Sequence, residues 1–258
     1  MIAAIIQARF GSSRLPGKVL KEINGRPMLS YMLERVSASN GVDKVVVATS
    51  VAPDDDHIVE FCKKEKILYY RGSLEDVLDR YYQTAKKINC DVVVRVTADC
   101  PLIDPQVIDT IIDVYKDNTY DFVANTSPPE GFTFPEGMDT EVFSFEALRK
   151  AWLEAKKPSE REHVTFYFWQ NPQLFSIFRY DLSENLSGYR LTVDYPEDFE
   201  VIESLITNLY SRKQSFAITM KDIITFLDIH PEIKGKNSGF LPNKGWQSSF
   251  AKDKKAGF

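Results

Sequence analysis

Cysteine, positive charge and long apolar runs are all scarce in this 258-residue sequence. The three cysteines, Cys62, Cys90 and Cys100, are odd in number and share no C-x-x-C spacing, which argues against a disulfide framework or a thiolate zinc site. The 32 Lys and Arg residues are outnumbered by 37 Asp and Glu residues, so the chain lacks the basic excess typical of broad nucleic-acid binding. The longest uncharged aromatic-rich run, 163–178, contains a proline and three amide side chains, whereas a membrane span needs about 20 mostly apolar residues. We expect neither nucleic acid nor membrane among its partners.

The composition is that of a globular protein, with 43% hydrophobic and 27% charged residues. The length suits one α/β domain, or a domain with a lobe and a tail. An apolar segment begins at Met1 with no basic region or cleavage site before it, so we expect no signal peptide and a cytoplasmic location.

Strand and helix patterns alternate through the first half of the chain. This alternation predicts an α/β fold with a mainly parallel mixed sheet and helices on both faces. Ligands bind such sheets at the carboxyl ends of the strands, so the loops that follow strands are the places to seek chemistry. The predicted strands are 2–7, 45–48, 67–70 and 91–97, and the predicted helices are 27–37, 54–64, 74–87 and 105–115.

The second half begins with a loop rich in Pro and Gly, 126–137. This loop, followed by Asp139 and Glu141, lines a ligand pocket, closes over it or forms a dimer arm. We predict a domain over 1–228, with halves 1–125 and 126–228, and a tail over 229–258. The tail has six lysines against two acidic residues, and we expect it to be flexible or loosely docked. Another helix is predicted to open at Ser159, where Ser159-x-x-Glu162 forms a capping box. The further predicted strands are 140–143, 175–179 and 190–193, and the other predicted helices are 145–155, 197–209 and 220–227.

The first strand-to-helix connection concentrates groups that bind phosphates. It is Gln7-Ala-Arg-Phe-Gly-Ser-Ser-Arg-Leu-Pro-Gly-Lys18. Glycines allow close backbone approach, serine amides and hydroxyls bind phosphate oxygens, and cations supply charge. The sequence is neither G-x-x-x-x-G-K-[ST] nor G-x-G-x-x-G, which disfavours a P-loop enzyme or a dinucleotide fold. The alternative is a solvated turn with incidental basic residues. The residues concerned are Gly11, Gly17, Ser12, Ser13, Arg9, Arg14 and Lys18.

Two acidic residues lie where ligands are expected. Asp99 follows the strand 91–97 directly, and a carboxylate facing a triphosphate there suits Mg²⁺; a turn or cap role is the alternative. Asp194 belongs to Asp194-x-x-Glu197, a capping box with Pro196 in the first turn. Both roles are compatible at Asp194, because a cap at a strand-to-helix junction also faces the ligand edge.

The N-terminal motif resembles the signature of cytidylyltransferases that make CMP-activated acidic sugars, such as the CMP-Kdo and CMP-sialic acid synthetases. The similarity is greatest to the SpsF-type branch of spore coat polysaccharide synthesis. Three further stretches carry it: Arg71-Gly-Ser-Leu-Glu-Asp-Val-Leu-Asp-Arg-Tyr-Tyr82, Arg161-Glu-His-Val-Thr165 and Arg190-Leu-Thr-Val-Asp-Tyr-Pro-Glu-Asp198. The resemblance implies a GT-A-like nucleotidyltransferase fold, CTP and an acidic acceptor as substrates, Mg²⁺ and a homodimer.

The resemblance also implies roles for individual residues. Asp99 and Asp194 match the carboxylates that hold magnesium, and Arg9 and Lys18 match the cations of the triphosphate site. The phosphate loop is assigned to Ala8, Arg9, Gly11, Ser12, Ser13 and Lys18. One departure is Ala98-Asp-Cys-Pro101, where better-known synthetases have Gly-Asp-x-Pro.

Less specific signals concern the nucleoside and the acceptor. Arg71, Gly72 and Asp76 are candidates for cytosine or ribose contacts, although Ser73-x-x-Asp76 also resembles a helix cap. Arg161 and His163, placed on the first turn of a predicted helix, and Arg190 are candidates for an anionic acceptor. A structural role for His163 is an equal alternative.

Two other functions remain open from the residues. A GT-A glycosyltransferase shares the sheet and the metal, but it typically holds the metal with an Asp-x-Asp pair, and Asp99-Cys-Pro offers one of those acids. A non-catalytic nucleotide-binding partner of a glycan enzyme is the second alternative.

Overall fold

One mixed sheet organises the computed structural model, which describes residues 1–117, 119–210, 215–240 and 244–258. Within these residues, the strands are β1 (Ile2–Gln7), β2 (Glu22–Ile23), β3 (Arg26–Pro27), β4 (Lys44–Ser50), β5 (Leu68–Gly72), β6 (Val92–Thr97), β7 (Phe122–Ala124), β8 (Glu141–Ser144) and β9 (Ile177–Arg179). The sheet has the order β5-β4-β1-β6-β8-β7-β9, and β2 and β3 form a separate antiparallel ribbon. Strands β5, β4, β1 and β6 run parallel, whereas β8 is antiparallel to β6 and β7.

Helices cover both faces of this sheet. They are α1 (Met28–Ser37), α2 (Asp56–Lys64), α3 (Val77–Lys87), α4 (Pro105–Lys116), α5 (Phe145–Glu154), α6 (Pro158–Glu162), α7 (Phe166–Gln170), α8 (Pro196–Leu209), α9 (Met220–Ile229), α10 (Pro231–Lys234) and α11 (Lys244–Lys255). In the described part of the chain, none of these helices is long and apolar enough to cross a membrane.

Strand β1 shows how the core is divided between the two faces. Ala3 and Ile5 belong to a hydrophobic cluster with helix α3, whereas Ala4 and Ile6 belong to a second cluster with helices α1 and α4. Successive side chains of a strand point to opposite faces, so an unbroken apolar strand must be covered on both sides. The prediction of an α/β fold with a mainly parallel sheet and helices on both faces is confirmed.

The parallel strands bring their following loops to one edge of the sheet. Buried Asp55, beyond β4, ties two of these strand ends together: its carboxylate accepts hydrogen bonds from the Phe10 amide at 2.6 Å and the Ser50 amide at 2.9 Å. Burial alone would raise the pKa of Asp55, but the hydrogen bonds outweigh it and lower that pKa. This carboxylate therefore fixes the start of the loop 8–18.

The predicted strand 190–193 is wrong, since a single parallel bridge joins Arg190 to Glu136. Leu191 and Val193 are buried in a third hydrophobic cluster, which accounts for the apolar pattern. Their amides donate to loop carbonyls, of Glu136 at 2.7 Å and Asp99 at 2.8 Å. Apolar alternation here reflects burial between loops rather than pairing in a ladder.

The capping box predicted at Ser159-x-x-Glu162 is also wrong. Helix α6 begins at Pro158, and Glu160 accepts hydrogen bonds from the amides of Lys156 and Lys157. Arg161 is consequently in the last turn of this short helix, and His163 is its C-cap rather than a first-turn residue.

The capping box predicted at Asp194-x-x-Glu197 is displaced by one residue. The amides of Asp194 and Tyr195 both donate to the Asp198 carboxylate at 2.9 Å, so Asp198 closes the box at the start of α8. Pro196 does occupy the first turn, as predicted. The Asp194 side chain is thereby left to face the ligand edge.

The C-terminal segment is packed rather than loosely docked in its described part. Asn237, Ser249 and Asp253 are buried against the domain, and α11 contacts α6. Lys236, Lys252, Lys254 and Lys255 are exposed, and such lysines make this segment resemble a loosely held tail in the sequence.

Candidate active site

A cavity of about 420 Å³ opens at the carboxyl edge of the sheet. It is lined by three regions: the loop after β1, the segment after β6, and the second half of the chain. Its charged and hydroxyl-bearing lining residues include Arg9, Ser12, Ser13, Arg14, Lys18, Arg95, Asp99, Ser127, Glu136, Asp139, Glu141, Glu162, His163, Thr165, Arg190 and Asp194. The two halves of the predicted domain thus meet at one cavity.

Lys18 is a buried cation in the lining of this cavity. Its Nζ lies 3.0 Å from Oδ2 of Asp99, 2.9 Å from Oδ1 of Asp194 and 2.6 Å from the Val193 carbonyl oxygen. Burial lowers the pKa of Lys18, but the two carboxylates outweigh it and raise that pKa. Burial likewise raises the pKa of Asp99, and Lys18 reverses this effect, so that the pKa falls to about 2. Lys18 and Asp99 are therefore both charged at neutral pH.

Gly17 sets the turn that buries Lys18. Its φ is +67°, a left-handed conformation that glycine adopts without strain, and an added Cβ would lie 3.0 Å from the Phe10 ring. The Gly17 amide donates to the Phe10 carbonyl at 3.0 Å, which closes the loop on itself.

The rest of the loop is exposed at the mouth of the cavity. Arg9, Ser13 and Arg14 are exposed and Ser12 is half-buried, and all four line the cavity. Arg14 pairs with Asp194 at 2.8 Å and lies over the Tyr195 ring. Ala8 is buried in the core and Gly11 is exposed, and neither lines the cavity. The loop thus presents cations and hydroxyls around Lys18.

Arg190 is a cavity residue whose guanidinium is already engaged by acids. It pairs with Glu136 at 2.5 Å, with Asp198 at 2.8 Å and, more distantly, with Asp194 at 3.5 Å. Burial raises the pKa of Glu136 to about 7 although Arg190 opposes this shift. These ion pairs fix the Arg190 guanidinium, and Arg190 in turn positions the part of the cavity lining that carries Asp194.

The inner wall of the cavity, which we define as Arg95, Ser127, Glu141 and Thr165, is a buried hydrogen-bonded group. Glu141 pairs with Arg95 at 2.5 Å and accepts from the Ser127 hydroxyl at 2.8 Å and the Thr165 hydroxyl at 2.9 Å. The prediction that Asp139 and Glu141 line a pocket agrees with this arrangement. Arg95 was missed, although a lone charged residue inside the apolar run 92–97 was the signal for it.

The side wall, defined as Glu162 and His163, closes another part of the cavity. The His163 Nε2 lies 2.7 Å from the Ser249 hydroxyl. Burial lowers the pKa of His163 to about 4, even though the Glu162 carboxylate opposes this. His163 is therefore neutral at pH 7, and it can bind a ligand by hydrogen bonds but not as a cation.

Arg161 is not brought to the cavity. Its guanidinium pairs with the Asp76 carboxylate through two nitrogens, at 3.0 and 2.5 Å, and donates to the Trp152 carbonyl at 2.7 Å. Asp76 in turn caps α3 by accepting from the Asp79 amide at 2.9 Å. These two predicted site residues form a structural link between α3 and α6.

Arg71 and Gly72 lie at the end of β5, outside the cavity lining. The Arg71 guanidinium donates to the carbonyls of Ser50 and Ala52 and pairs with Asp56 at 2.6 Å. A Cβ on Gly72 would lie 2.9 Å from Cγ of Arg80, so close packing requires the glycine. The contacts present here hold strand ends together.

Asp99 and Asp194 form a carboxylate pair that fits a divalent cation. Both reach one cationic atom, the Nζ of Lys18, from opposite parts of the chain. In the described ranges, no group of three or more His, Cys, Asp or Glu side chains could hold a metal by itself. Mg²⁺ is commonly bound by one or two carboxylates together with substrate phosphates, and this donor set matches that pattern.

Comparisons with known proteins agree with this geometry. A family model described as cytidylyltransferase matches residues 3–223. The chain is 40% identical over 239 residues to protein MJ1063 of Methanocaldococcus jannaschii, covering 92% of this chain and 94% of that one. It is 32% identical over 240 residues to the spore coat polysaccharide biosynthesis protein SpsF of Bacillus subtilis, covering 90% and 95%. The solved structure of a cytidylyltransferase from Leptospira borgpetersenii has a TM-score of 0.84 and 35% identity, covering 93% of this chain and 98% of that one. The chain is therefore a member of the cytidylyltransferase family, and so a nucleotidyltransferase.

Proposed function

We propose that this enzyme transfers CMP from CTP to an acidic sugar or a related surface-glycan precursor, with release of pyrophosphate. The observation that carries the proposal is the position of Lys18, held by Asp99 and Asp194 beneath a loop of exposed cations and hydroxyls. A triphosphate needs several positive groups on one side and a cation held by carboxylates on the other. This cavity has the positive groups of the loop and a carboxylate pair suited to hold such a cation, and both surround the Lys18 ammonium.

The loop residues are proposed to bind the triphosphate. Arg9, Arg14, Ser12 and Ser13 would contact phosphate oxygens at the mouth of the cavity. Lys18 would exchange one of its carboxylate partners for a phosphate oxygen and neutralise charge on the leaving pyrophosphate. Mg²⁺ held by Asp99 and Asp194 would supply positive charge beside the α-phosphate.

The acceptor is proposed to bind on the side of the inner wall and the side wall. An acceptor oxygen attacks the α-phosphorus in line, a new P–O bond to CMP forms as the bond to pyrophosphate breaks, and an acceptor hydroxyl loses its proton to water. Arg95 offers N–H donors for an acidic group, and the Ser127 and Thr165 oxygens, whose protons go to Glu141, can accept from the hydroxyls of the bound molecule. Of the three predicted acceptor residues, the cavity supports His163 and Arg190, and its geometry does not support Arg161.

The similarity to SpsF supports a glycan acceptor, because that relative is named for spore coat polysaccharide biosynthesis. A nonulosonic acid, another sugar acid, or a phosphate- or phosphonate-bearing compound all fit the proposal. Family membership disfavours both a glycosyltransferase and a non-catalytic partner protein. We also propose that the enzyme is cytoplasmic and homodimeric, which sedimentation and fractionation would test.

A pyrophosphate-release screen tests the function. The four ribonucleoside triphosphates are each combined with a panel of sugar acids and phosphorylated acids, with and without Mg²⁺. We expect release only with CTP, one class of acid and the metal, together with a CMP-linked product. The matched control is the Asp99→Asn variant. Free nucleoside diphosphate as the product, or equal turnover with all four nucleotides, would contradict the proposal.

A further inference from the structure

The C-terminal segment contacts the side wall directly. The Ser249 hydroxyl, buried at 1% exposure, lies 2.7 Å from Nε2 of His163 and donates to Oε2 of Glu162 at 3.1 Å. The Lys252 ammonium contacts the same Glu162 oxygen at 2.7 Å. Both side-wall residues line the cavity, so one hydroxyl of α11 holds two cavity side chains.

A second contact anchors α11 to the same wall. Asp253 accepts hydrogen bonds from the amide and the hydroxyl of Ser159, at 2.8 and 2.5 Å. Ser159 belongs to α6, which ends where the side wall begins. The Phe250 ring also stacks on Phe166, another residue of the cavity lining. Charged, polar and aromatic contacts therefore act together over a few residues of α11.

The preceding part of the segment contacts the opposite wall. Asn237 donates to the Arg190 carbonyl at 3.1 Å and to the Asp198 carboxylate at 2.9 Å. The Phe240 ring lies parallel to the Tyr195 ring with 4.1 Å between centroids. Arg190 and Tyr195 flank Asp194, so this contact supports the wall that carries one of the paired carboxylates.

We propose that residues 237–240 and 249–253, which we call the C-terminal clamp, position the two walls of the cavity, and that Ser249 positions His163 and Glu162 for the acceptor. The assignment to the acceptor rests on the proposed function. Apart from the clamp, α6 contacts α3 and α7 and the His163 ring stacks on Phe166, so the clamp adds hydrogen bonds to the His163 Nε2 and the Glu162 carboxylate. Ser249 is a positioning residue, because it acts through the two side-wall residues.

The test compares Ser249→Ala with Ser249→Thr, which keeps the hydroxyl, and with Lys255→Ala, an exposed change on the same helix. Hydrogen exchange is measured by mass spectrometry on peptides that cover 158–166. We expect exchange there to rise about tenfold in Ser249→Ala, the equivalent of one lost hydrogen bond, and to stay unchanged in the other two. Asn237→Ala should instead raise exchange around 190–198.

The second readout separates substrates. CTP is titrated into each variant, and pyrophosphate release is measured with 3-deoxy-manno-octulosonate and N-acetylneuraminate as acceptors. For an acid that the unchanged enzyme turns over, Ser249→Ala should raise the acceptor KM about tenfold and leave the CTP KM within about twofold. Ser249→Thr should restore the acceptor KM.

The outcomes distinguish the two proposals. Equal exchange at 158–166 in Ser249→Ala and Lys255→Ala, or an equal rise in both KM values, would overturn the role of the clamp. A uniform rise in exchange across the domain would also overturn it, since that indicates global destabilisation. Failure of the unchanged enzyme to bind CTP would instead refute the proposed function, while the exchange result would still decide whether the clamp holds the wall.

Discussion

The Lys18 ammonium lies 3.0 Å from the Asp99 carboxylate, although 81 positions separate the two residues along the chain. Each group alters the protonation of the other: Asp99 raises the pKa of Lys18, and Lys18 lowers that of Asp99. A triphosphate that enters this cavity meets a pair already charged and aligned. Preorganised charge of this kind needs little rearrangement during the reaction.

Replacing Lys18 with Met should abolish most activity without preventing folding. The change removes the cation that faces both carboxylates, so the pKa of Asp99 should rise from about 2, and charge on the leaving pyrophosphate should go unneutralised. We expect kcat/KM for pyrophosphate release to fall by about hundredfold or more. Lys21→Met is the control, because Lys21 is exposed and outside the cavity. A Lys18→Met enzyme of near-normal activity would exclude Lys18 from the reaction.

Asn substitutions at Asp99 and Asp194 should separate metal binding from folding. Each variant loses a negative charge but keeps its size, so kcat should fall by roughly hundredfold or more while thermal unfolding remains cooperative. The measurement is turnover as a function of Mg²⁺ concentration, with circular dichroism melting as the folding control. Asp54→Asn, at an exposed acid, provides the matched comparison. Near-normal turnover of Asp99→Asn at saturating Mg²⁺ would contradict the assignment.

Protonation of His163 should lower the free energy of unfolding as the pH falls. Burial lowers its pKa from 6.5 to about 4 in the folded protein, whereas the unfolded chain takes up a proton below 6.5. Its contribution is therefore complete above pH 6.5, decreases as the pH falls to about 4, and is constant below that. The free energy of unfolding should drop by roughly 1–3 kcal/mol across this window.

Urea denaturation between pH 4 and 7 measures this dependence. The His163→Gln variant should lose most of the slope between pH 6.5 and 4, and His57→Gln, at an exposed histidine, is the control. Glu162 has a lowered pKa, so its contribution is lost only as the pH falls below its ordinary value of 4.5. An unchanged slope in His163→Gln would show that another group titrates here.

Gly137→Ala should disrupt the wall that holds Arg190. Gly137 has φ of +103°, and an added Cβ would lie 2.5 Å from the Leu191 carbonyl carbon, a backbone atom that cannot move aside cheaply. We expect a loss of about 2–4 kcal/mol in unfolding free energy and a large loss of activity. Gly188→Ala is the control, since a Cβ there meets nothing within 4 Å. Equal melting temperatures for the two variants would contradict the close approach.

Much of the fold was predictable because it depends on neighbours in the chain. The bounds of β1 were predicted exactly as Ile2–Gln7, and α1, α4 and α8 were predicted to within a residue or so at each end. These elements show uniform apolar patterns, and the three helices have Pro at or next to their starts. The prediction failed at 190–193 and at Ser159, where short segments take hydrogen-bond partners from distant parts of the chain.

The sequence predicts which types of residue lie at the candidate site, but it does not predict which of them form ion pairs. The positions of the cations and hydroxyls in the loop 9–18 and of Asp99 follow from the strand pattern, because loops after parallel strands share one edge. The position of Asp194 does not, because the segment before it, 190–193, is no strand of the sheet. The sequence does not indicate that Arg161 pairs with Asp76, since 85 positions separate them. Nor does it indicate that Arg95 lies in the cavity, because its strand is otherwise apolar.

The family and the architecture could be predicted from local motifs, because strand periodicity and a phosphate-binding loop depend on residues close together in the chain. The placement of charge was decided by folding, which brought Lys18 between two distant carboxylates and turned Arg161 away from the cavity. Folding also placed the lysine-rich C-terminal segment, since Ser249 and Asp253 find partners 86 and 94 positions earlier. Ion pairs and hydrogen bonds depend on distance in space, and the linear order of residues carries little of that information.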